Sequence, residues 1–144
     1  MSLNNLSGKV AIVPCSGIGK TYGSVSREAA YDVTEDLRPE HTLLVPLAKL
    51  VLGDESTRTI LANSPAVTID GCKLACATKM VIESGGTVAR DYSVLEVYRR
   101  YKHFKPHGIA ELNEGGHQLA HALAVEIAAI IDETLAEPEG GKNG

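Results

Sequence analysis

Three cysteines stand at two similar junctions of the chain, and thiols are side chains that bind soft metals or act as nucleophiles. In the first junction, the apolar run Val10-Ala-Ile-Val-Pro leads to Cys15 and then to Ser-Gly-Ile-Gly. In the second, Ala66-Val-Thr-Ile-Asp-Gly leads to Cys72, and Cys76 follows four residues later. Each junction is typical of a strand, a turn and the start of a helix. Because parallel strands end along one edge of a sheet, we expect the three thiols to converge there.

Composition limits the kinds of partner that this chain can have. The 144 residues are enough for one domain, with 44% hydrophobic and 22% charged residues and a net charge of −4. That charge offers no basic surface for nucleic acid or for an anionic membrane. No apolar run reaches the length of a signal peptide core or a membrane span. We therefore expect a cytoplasmic protein with reduced thiols, and an odd cysteine count argues against a disulfide framework.

Short apolar segments alternate with segments of helical periodicity. Strands are predicted over residues 10–14, 41–45, 66–69 and 87–90. A first helix is predicted from the stripe Val25, Ala29, Val33 and Leu37, with Arg27, Glu28, Asp32 and Glu35 facing away. Pro39 ends that helix, Asp54 begins the next one, and Gly85-Gly86 closes the helix that follows Cys72. Residues 91–103 show no clear pattern.

The last helix has the strongest apolar stripe. It is predicted over about residues 113–136, and a polar tail at 137–144 is expected to fray. Its apolar face is formed by Leu119, Leu123, Ile127, Ile130, Ile131 and Leu135. The alternation of strand and helix predicts an α/β fold, a three-layer α/β/α sandwich with a mainly parallel sheet of about four strands. We expect one domain over residues 1–144.

The spacing of the cysteines favours a metal or a reactive thiol. Cys72 and Cys76 are four residues apart at a predicted helix start. We therefore expect them to share one face of that helix, where two thiolates could bind one soft cation. Zinc takes four protein ligands in structural sites and three with a water in catalytic sites. Helix N–H groups near Cys15 and Cys72 would favour thiolates. The alternative is that all three are small buried residues, but their positions beside glycine-containing turns favour a functional site.

Several motifs in the expected order resemble the DGC-domain family, which is named for an Asp-Gly-Cys motif and described as zinc-binding. The similarity is carried by Cys15-Ser-Gly, by Arg27-Glu-Ala-Ala and by Ile69-Asp-Gly-Cys72-x-x-x-Cys76-Ala-x-Lys79, with Gly53-Asp-Glu also in keeping. It covers roughly residues 10–86. The resemblance implies a zinc ion bound by Cys15, Cys72 and Cys76, but no established reaction.

One of the four cysteines that the family uses is missing here. The resemblance places it around Val45-Pro46, where this chain has no thiol. The alternatives are an open three-ligand site, a site completed by another residue, or a site that has lost its metal. His117 and His121, four apart on the last helix, are candidates for the fourth ligand, although exposed helix positions are their simpler explanation. Asp70 could bind the metal, orient a ligand or act as a base, and an Asp-Gly pair is also common in turns.

The first turn also suggests phosphate chemistry. Ser16-Gly-Ile-Gly-Lys-Thr21 lacks the first glycine of a Walker P-loop, because that position is Pro14, so ATP binding is not expected. The loop from Cys15 resembles the cysteine loop of sugar-phosphotransferase IIB domains. A tyrosine-phosphatase loop would need an arginine where Thr21 stands. A phosphocysteine enzyme would leave Cys72 and Cys76 without a role.

Thiol redox or persulfide transfer is the remaining alternative. A disulfide between Cys72 and Cys76 would be strained on a helix, whereas Cys15 could pair with either. An iron–sulfur cluster normally needs four ligands. The interpretation is therefore a zinc-binding protein, with a cysteine-dependent enzyme that uses Cys15 as the alternative. Whether the protein is an enzyme is left open.

Overall fold

The structure is a computed structural model that describes residues 8–15, 21–71, 75–108 and 111–136. Within these ranges, strands and helices alternate along the chain. The strands are β1 (Val10–Pro14), β2 (Thr42–Leu44), β3 (Ala66–Asp70) and β4 (Val88–Ser93). The helices are α1 (Thr21–Tyr31), α2 (Leu47–Val51), α3 (Glu55–Asn63), α4 (Cys76–Glu83), α5 (Val94–Arg100) and α6 (Glu114–Ala136). These bounds match the predicted strands closely and extend β4 to Ser93.

The strands form one parallel sheet in the order β2-β1-β3-β4. Ile12 of β1 lies beside Leu44 of β2 on one side and beside Val67 of β3 on the other. Every residue of the two central strands is buried. This is expected of a parallel sheet that is covered by helices on both faces. The predicted α/β class with a parallel sheet is confirmed.

Alternate residues of the central strands belong to two separate apolar cores, one on each face of the sheet. Val10, Ile12, Val67 and Ile69 pack with α1, α5 and α6 on one face. On the other face, Ala11, Val13 and Ala66 pack with α2, α3 and α4. The period of two along each strand therefore produces the three layers.

The first helix ends where its sequence predicts. Val25, Ala29 and Val33 are fully buried, and α1 continues through a π-helical segment, Asp32–Leu37. Helical conformation stops before Pro39 because proline disfavours it in the preceding residue. Arg38 is that residue, and its guanidinium makes a two-pronged hydrogen bond to Asp132 of α6 at 2.8 and 2.7 Å.

The last helix is confirmed, and its apolar stripe packs in the same core as residues of α1. Its stripe is fully buried at Leu119, Leu123, Ile127 and Ile131, and it is partly buried at Ile130 and Leu135. The Asn113 carboxamide oxygen accepts the Gly116 N–H at 2.7 Å, which satisfies one of the free donors at the helix start. A side chain at Gly115 would overlap the Phe104 carbonyl, so this position needs glycine.

Two short helices were not predicted from the sequence. Leu47–Val51 and Val94–Arg100 have five and seven residues, too few to show a helical period clearly. The helix Val94–Arg100 accounts for most of the segment that showed no clear pattern. None of the helices in the described ranges is long and apolar enough to cross a membrane. The expected tail at 137–144 lies outside the described residues.

Truncation of the α6 stripe should destabilise the protein. Ile127→Ala removes a fully buried side chain, and we expect the free energy of unfolding to fall by about 2–5 kcal/mol. Val125→Ala is the matched control, because Val125 is on the same helix and 50% exposed. It should change stability by less than about 0.5 kcal/mol. Urea denaturation measures both, and equal losses would contradict the assignment of the buried face.

The cap of α3 should give the stability a specific acid dependence. Asp54 accepts hydrogen bonds from the Thr57 hydroxyl, the Ser56 hydroxyl and the Thr57 N–H, at 2.6, 2.7 and 2.9 Å. These bonds, with the Thr57 hydroxyl first, lower the pKa of Asp54 to about 2. The pKa of Asp54 in the unfolded chain is about 4. The stabilisation is therefore complete above about pH 4 and is lost as the pH falls through about 2.

The test compares the native chain with Asp54→Asn, which keeps a capping oxygen but does not titrate. We expect stability to fall more steeply between about pH 4 and pH 2 in the native chain than in the variant. Urea denaturation at each pH measures this difference. Parallel curves would show that Asp54 does not carry the effect.

Candidate functional site

Cys15 lies directly beyond the end of β1, at the carboxyl edge of the sheet. Its backbone N–H donates to the Ile69 carbonyl of β3 at 2.8 Å, which continues the sheet ladder. The residue is 6% exposed and packs in the apolar core beneath α2, α3 and α4. Its Sγ accepts the Gly71 N–H at 3.1 Å. The thiol is therefore fixed by the turn that follows the neighbouring strand.

A buried serine of α1 provides a second contact for this sulfur. The Oγ of Ser26 lies 3.4 Å from the Cys15 Sγ. The same hydroxyl donates to the Gly23 carbonyl at 2.7 Å. The contact between the two side chains is compatible with either atom as the donor.

Gly71 allows the end of β3 to approach the first turn of α1. A Cβ at this position would lie 3.0 Å from both the Gly23 nitrogen and the Tyr22 carbonyl carbon. These are backbone atoms, so they could not move aside without shifting α1. The close approach brings the Gly71 N–H within reach of the Cys15 sulfur. The described first residues of the two predicted turns, Cys15 and Gly71, are therefore in contact.

Asp70 holds the start of α4. Its Oδ1 accepts the Ala77 N–H at 2.8 Å, and its Oδ2 accepts the Thr78 hydroxyl at 2.8 Å and the Thr78 N–H at 3.3 Å. The Thr78 hydroxyl also contacts the Thr68 hydroxyl at 2.7 Å. Asp70 is 4% exposed, so it caps the helix from within the protein. Of the roles considered for Asp70, these contacts favour the one in which it orients the segment that carries Cys76.

Cys76 is the first residue of α4 and is exposed. Ala75, which precedes it, has the left-handed backbone conformation, with φ of 52°. This conformation costs an alanine about 1–2 kcal/mol. The helix therefore begins at Cys76, and the prediction that Cys72 and Cys76 share a helical face falls partly on Cys72, which lies outside the described residues.

Cys72 lies outside the described residues, so the full thiol set is placed only in part. Cys15 and Cys76 follow the adjacent strands β1 and β3, and both are free thiols. Within residues 8–15, 21–71, 75–108 and 111–136, no three His, Cys, Asp or Glu side chains are grouped to hold a metal. A zinc site therefore depends on Cys72. The loop of the phosphate alternatives, residues 16–20, also lies outside the described part.

The two helical histidines lie beside acidic residues of α1. The His117 Nδ1 is 3.5 Å from the Glu28 Oε2, and His117 is half-exposed. Burial and the neighbouring Glu28 raise the pKa of Asp32, while His121 and His117 act in the opposite direction. These carboxylates, and not the described cysteines, are the partners that the structure gives to the histidines.

A cleft of about 230 Å³ opens beside Cys15. Pro14, Leu44 and Pro46 lie in its wall at the ends of β1 and β2. Arg27 and Tyr31 of α1 also line it. Arg27 was predicted to face away with the other charged residues of α1, but it is half-buried in this cleft. The position where the resemblance expects a fourth cysteine thus borders the same space as Cys15.

Sequence reasoning missed Ser26, Thr78 and the location of Arg27. Ser26 has no local signal, because it meets Cys15 only when β1 packs against α1. Thr78 could have been found, since a threonine near a helix start is a common partner for a capping carboxylate.

The Asp70 carboxylate, which caps α4, should contribute to the stability of the protein. Asp70→Asn would turn an amide NH₂ towards backbone N–H donors, and we expect a loss of about 1–3 kcal/mol of unfolding free energy. Asp91→Asn is the matched control, because Asp91 is exposed on the adjacent β4. Amide exchange at Ala77 and Thr78 should accelerate only in the first variant. Equal stability of the two variants would contradict the capping role.

One of three comparisons with known proteins gave a match. A family model described as the DGC domain matches residues 11–115, which is more than half of the chain. The match extends beyond the predicted limit of residue 86 and includes β4 and α5. Neither the curated proteins nor the solved structures that were compared gave a match. The length of the family match shows that the chain belongs to the DGC-domain family.

Proposed function

We propose that this chain is a zinc-binding protein whose ligands are the thiolates of Cys15, Cys72 and Cys76. The observation that carries the proposal is the 3.1 Å hydrogen bond from the Gly71 N–H to the Cys15 sulfur. It joins Cys15 to the residue directly before Cys72. An N–H donor at a sulfur also stabilises negative charge on a thiolate ligand.

The donor set fits zinc chemically. Thiolates are preferred zinc ligands, and a site with three protein ligands leaves one position for water or a small molecule. When bound, zinc would supply Lewis acidity at that position. The chain's own residues hold the ligands in place: Gly71 and Ser26 fix Cys15, and Asp70 fixes the helix that begins at Cys76.

The proposal does not require a fourth protein ligand. Asp70 already accepts three hydrogen bonds at the start of α4, and His117 lies beside Glu28. These contacts favour a three-thiolate site over one completed by either residue.

A cysteine-dependent enzyme that uses Cys15 is the second candidate. It is favoured by the cleft, which Cys15 lines together with Arg27. A guanidinium beside a thiol is suited to an anionic substrate of thiol chemistry. This candidate requires a Cys15 that reacts in the metal-free protein.

Metal content of anaerobically purified protein tests the zinc proposal. We expect about one zinc per chain by elemental analysis, and Cys76→Ser should weaken zinc binding by at least about a hundredfold in a competition with a chromophoric chelator. Cys76 is exposed, so this variant should fold normally. Cys72→Ser should have the same effect, as it removes another thiolate.

His117→Ala and His121→Ala are the matched controls, because they remove alternative zinc donors from exposed positions of α6. Both should keep the native zinc affinity. A native chain that neither contains nor takes up zinc would refute the proposal. Rapid alkylation of Cys15 in such a protein would favour the enzyme instead.

A further inference from the structure

We propose that the cleft beside Cys15 binds a small organic anion, with an oxyacid head group at Arg27 and a short apolar body. This inference goes beyond zinc binding and does not require the metal. The cleft lies past the ends of β1 and β2, where open parallel sheets bind their ligands. Its occupant is argued from its walls, its size and its charge.

The walls are mainly apolar. Pro14 and Leu44 come from the strand ends, Pro46 directly precedes α2, and Leu47 and Ala48 are the first residues of α2. Ligand sites typically combine such walls with a few polar groups that fix orientation. The volume of about 230 Å³ lies below the roughly 300–1,000 Å³ that is typical of sites for drug-sized ligands. This volume favours a short organic acid over a larger ligand.

The charge of the lining selects an anion. Arg27 is its cation, and no Asp or Glu is among the described residues that line the cleft. The Arg27 Nη2 donates to the Ser24 hydroxyl at 3.1 Å, and Ser24 is 7% exposed. This bond places the guanidinium beside Ser24 on α1. A positioned guanidinium matches the paired oxygens of carboxylates and phosphates.

A neighbouring cleft explains why the anion belongs beside Cys15. Arg27 and Tyr31 line this second cleft too, but Glu28 and Glu111 are also in its wall. Those carboxylates would repel an anion. The cleft beside Cys15, whose described lining has no carboxylate, is therefore the better place for a negative head group, and Tyr31 also lines it.

A binding titration of the full chain tests the inference. The probes are butyrate, its neutral isostere butyramide, and ethyl phosphate, each titrated into EDTA-treated and zinc-loaded protein and followed by NMR. We expect butyrate to bind both forms, and Arg27→Gln to weaken this binding by about tenfold or more. Butyramide should bind weakly and equally to the native chain and the variant.

Two further variants distinguish the effect of the Arg27 charge from the effect of the cleft volume. Ala48→Phe fills the cleft from an exposed position of α2 and should abolish butyrate binding without removing the cation. Arg99→Gln removes a matched exposed arginine, one paired with Glu96 on α5, and should bind butyrate normally. Circular dichroism checks that each variant is folded.

The results discriminate among the sources of the anion. Tighter Arg27-dependent binding of ethyl phosphate than of butyrate would support a phosphate ester, and the reverse order would support a carboxylate. Equal affinities for butyrate and butyramide, or binding that survives both Arg27→Gln and Ala48→Phe, would overturn the inference. Binding confined to zinc-loaded protein and insensitive to Arg27→Gln would place the anion on the metal, which overturns the cleft while leaving the zinc proposal intact.

Discussion

The close backbone contact between Gly71 and the first turn of α1 constrains the whole edge of this sheet. The backbones can approach this closely because Gly71 has no side chain. A Cβ there would lie 3.0 Å from backbone atoms of Tyr22 and Gly23. Any larger residue must separate β3 from α1. That separation would also break the Gly71 N–H bond to the Cys15 sulfur, because both contacts depend on the same backbone position.

The residue before Gly71 extends the constraint to the opposite layer. Asp70 caps α4, which packs on the face of the sheet away from α1. Consecutive residues thus connect the carboxyl edge of β3 to a helix of each outer layer. This gives the Asp-Gly pair a structural reason beyond turn formation: the carboxylate needs buried N–H donors on one side, and the glycine needs space on the other.

The elements that sequence reasoning found are those whose own pattern decides their structure. The buried strands Val10–Pro14 and Ala66–Asp70 and the long stripe of α6 each carry enough apolar residues to specify an element. The helix Leu47–Val51 is too short for this and is stabilised by tertiary packing of Leu47 and Leu50. Helix α4 begins later than predicted because Ala75 adopts a left-handed conformation, which no local signal indicates.

The same distinction applies to the candidate site. Parallel strands that end at one edge predict that the cysteine turns meet, and the structure brings Cys15 against Gly71, while Cys72 lies outside the described residues. The contact of Ser26 with Cys15 and the turn of Arg27 into the cleft depend on how α1 packs over β1, and spacing along the chain does not contain that information.

The missing fourth cysteine connects the zinc and anion proposals. Val45 is buried and donates its N–H to the Ile12 carbonyl at 2.9 Å, so the chain leaves β2 in register with β1. Pro46 then borders the cleft that Cys15 also lines. An apolar wall stands where the family resemblance expects a thiolate. A zinc site with three protein ligands would accept an exchangeable fourth ligand, and the proposed anion at Arg27 would have the charge that such a ligand needs.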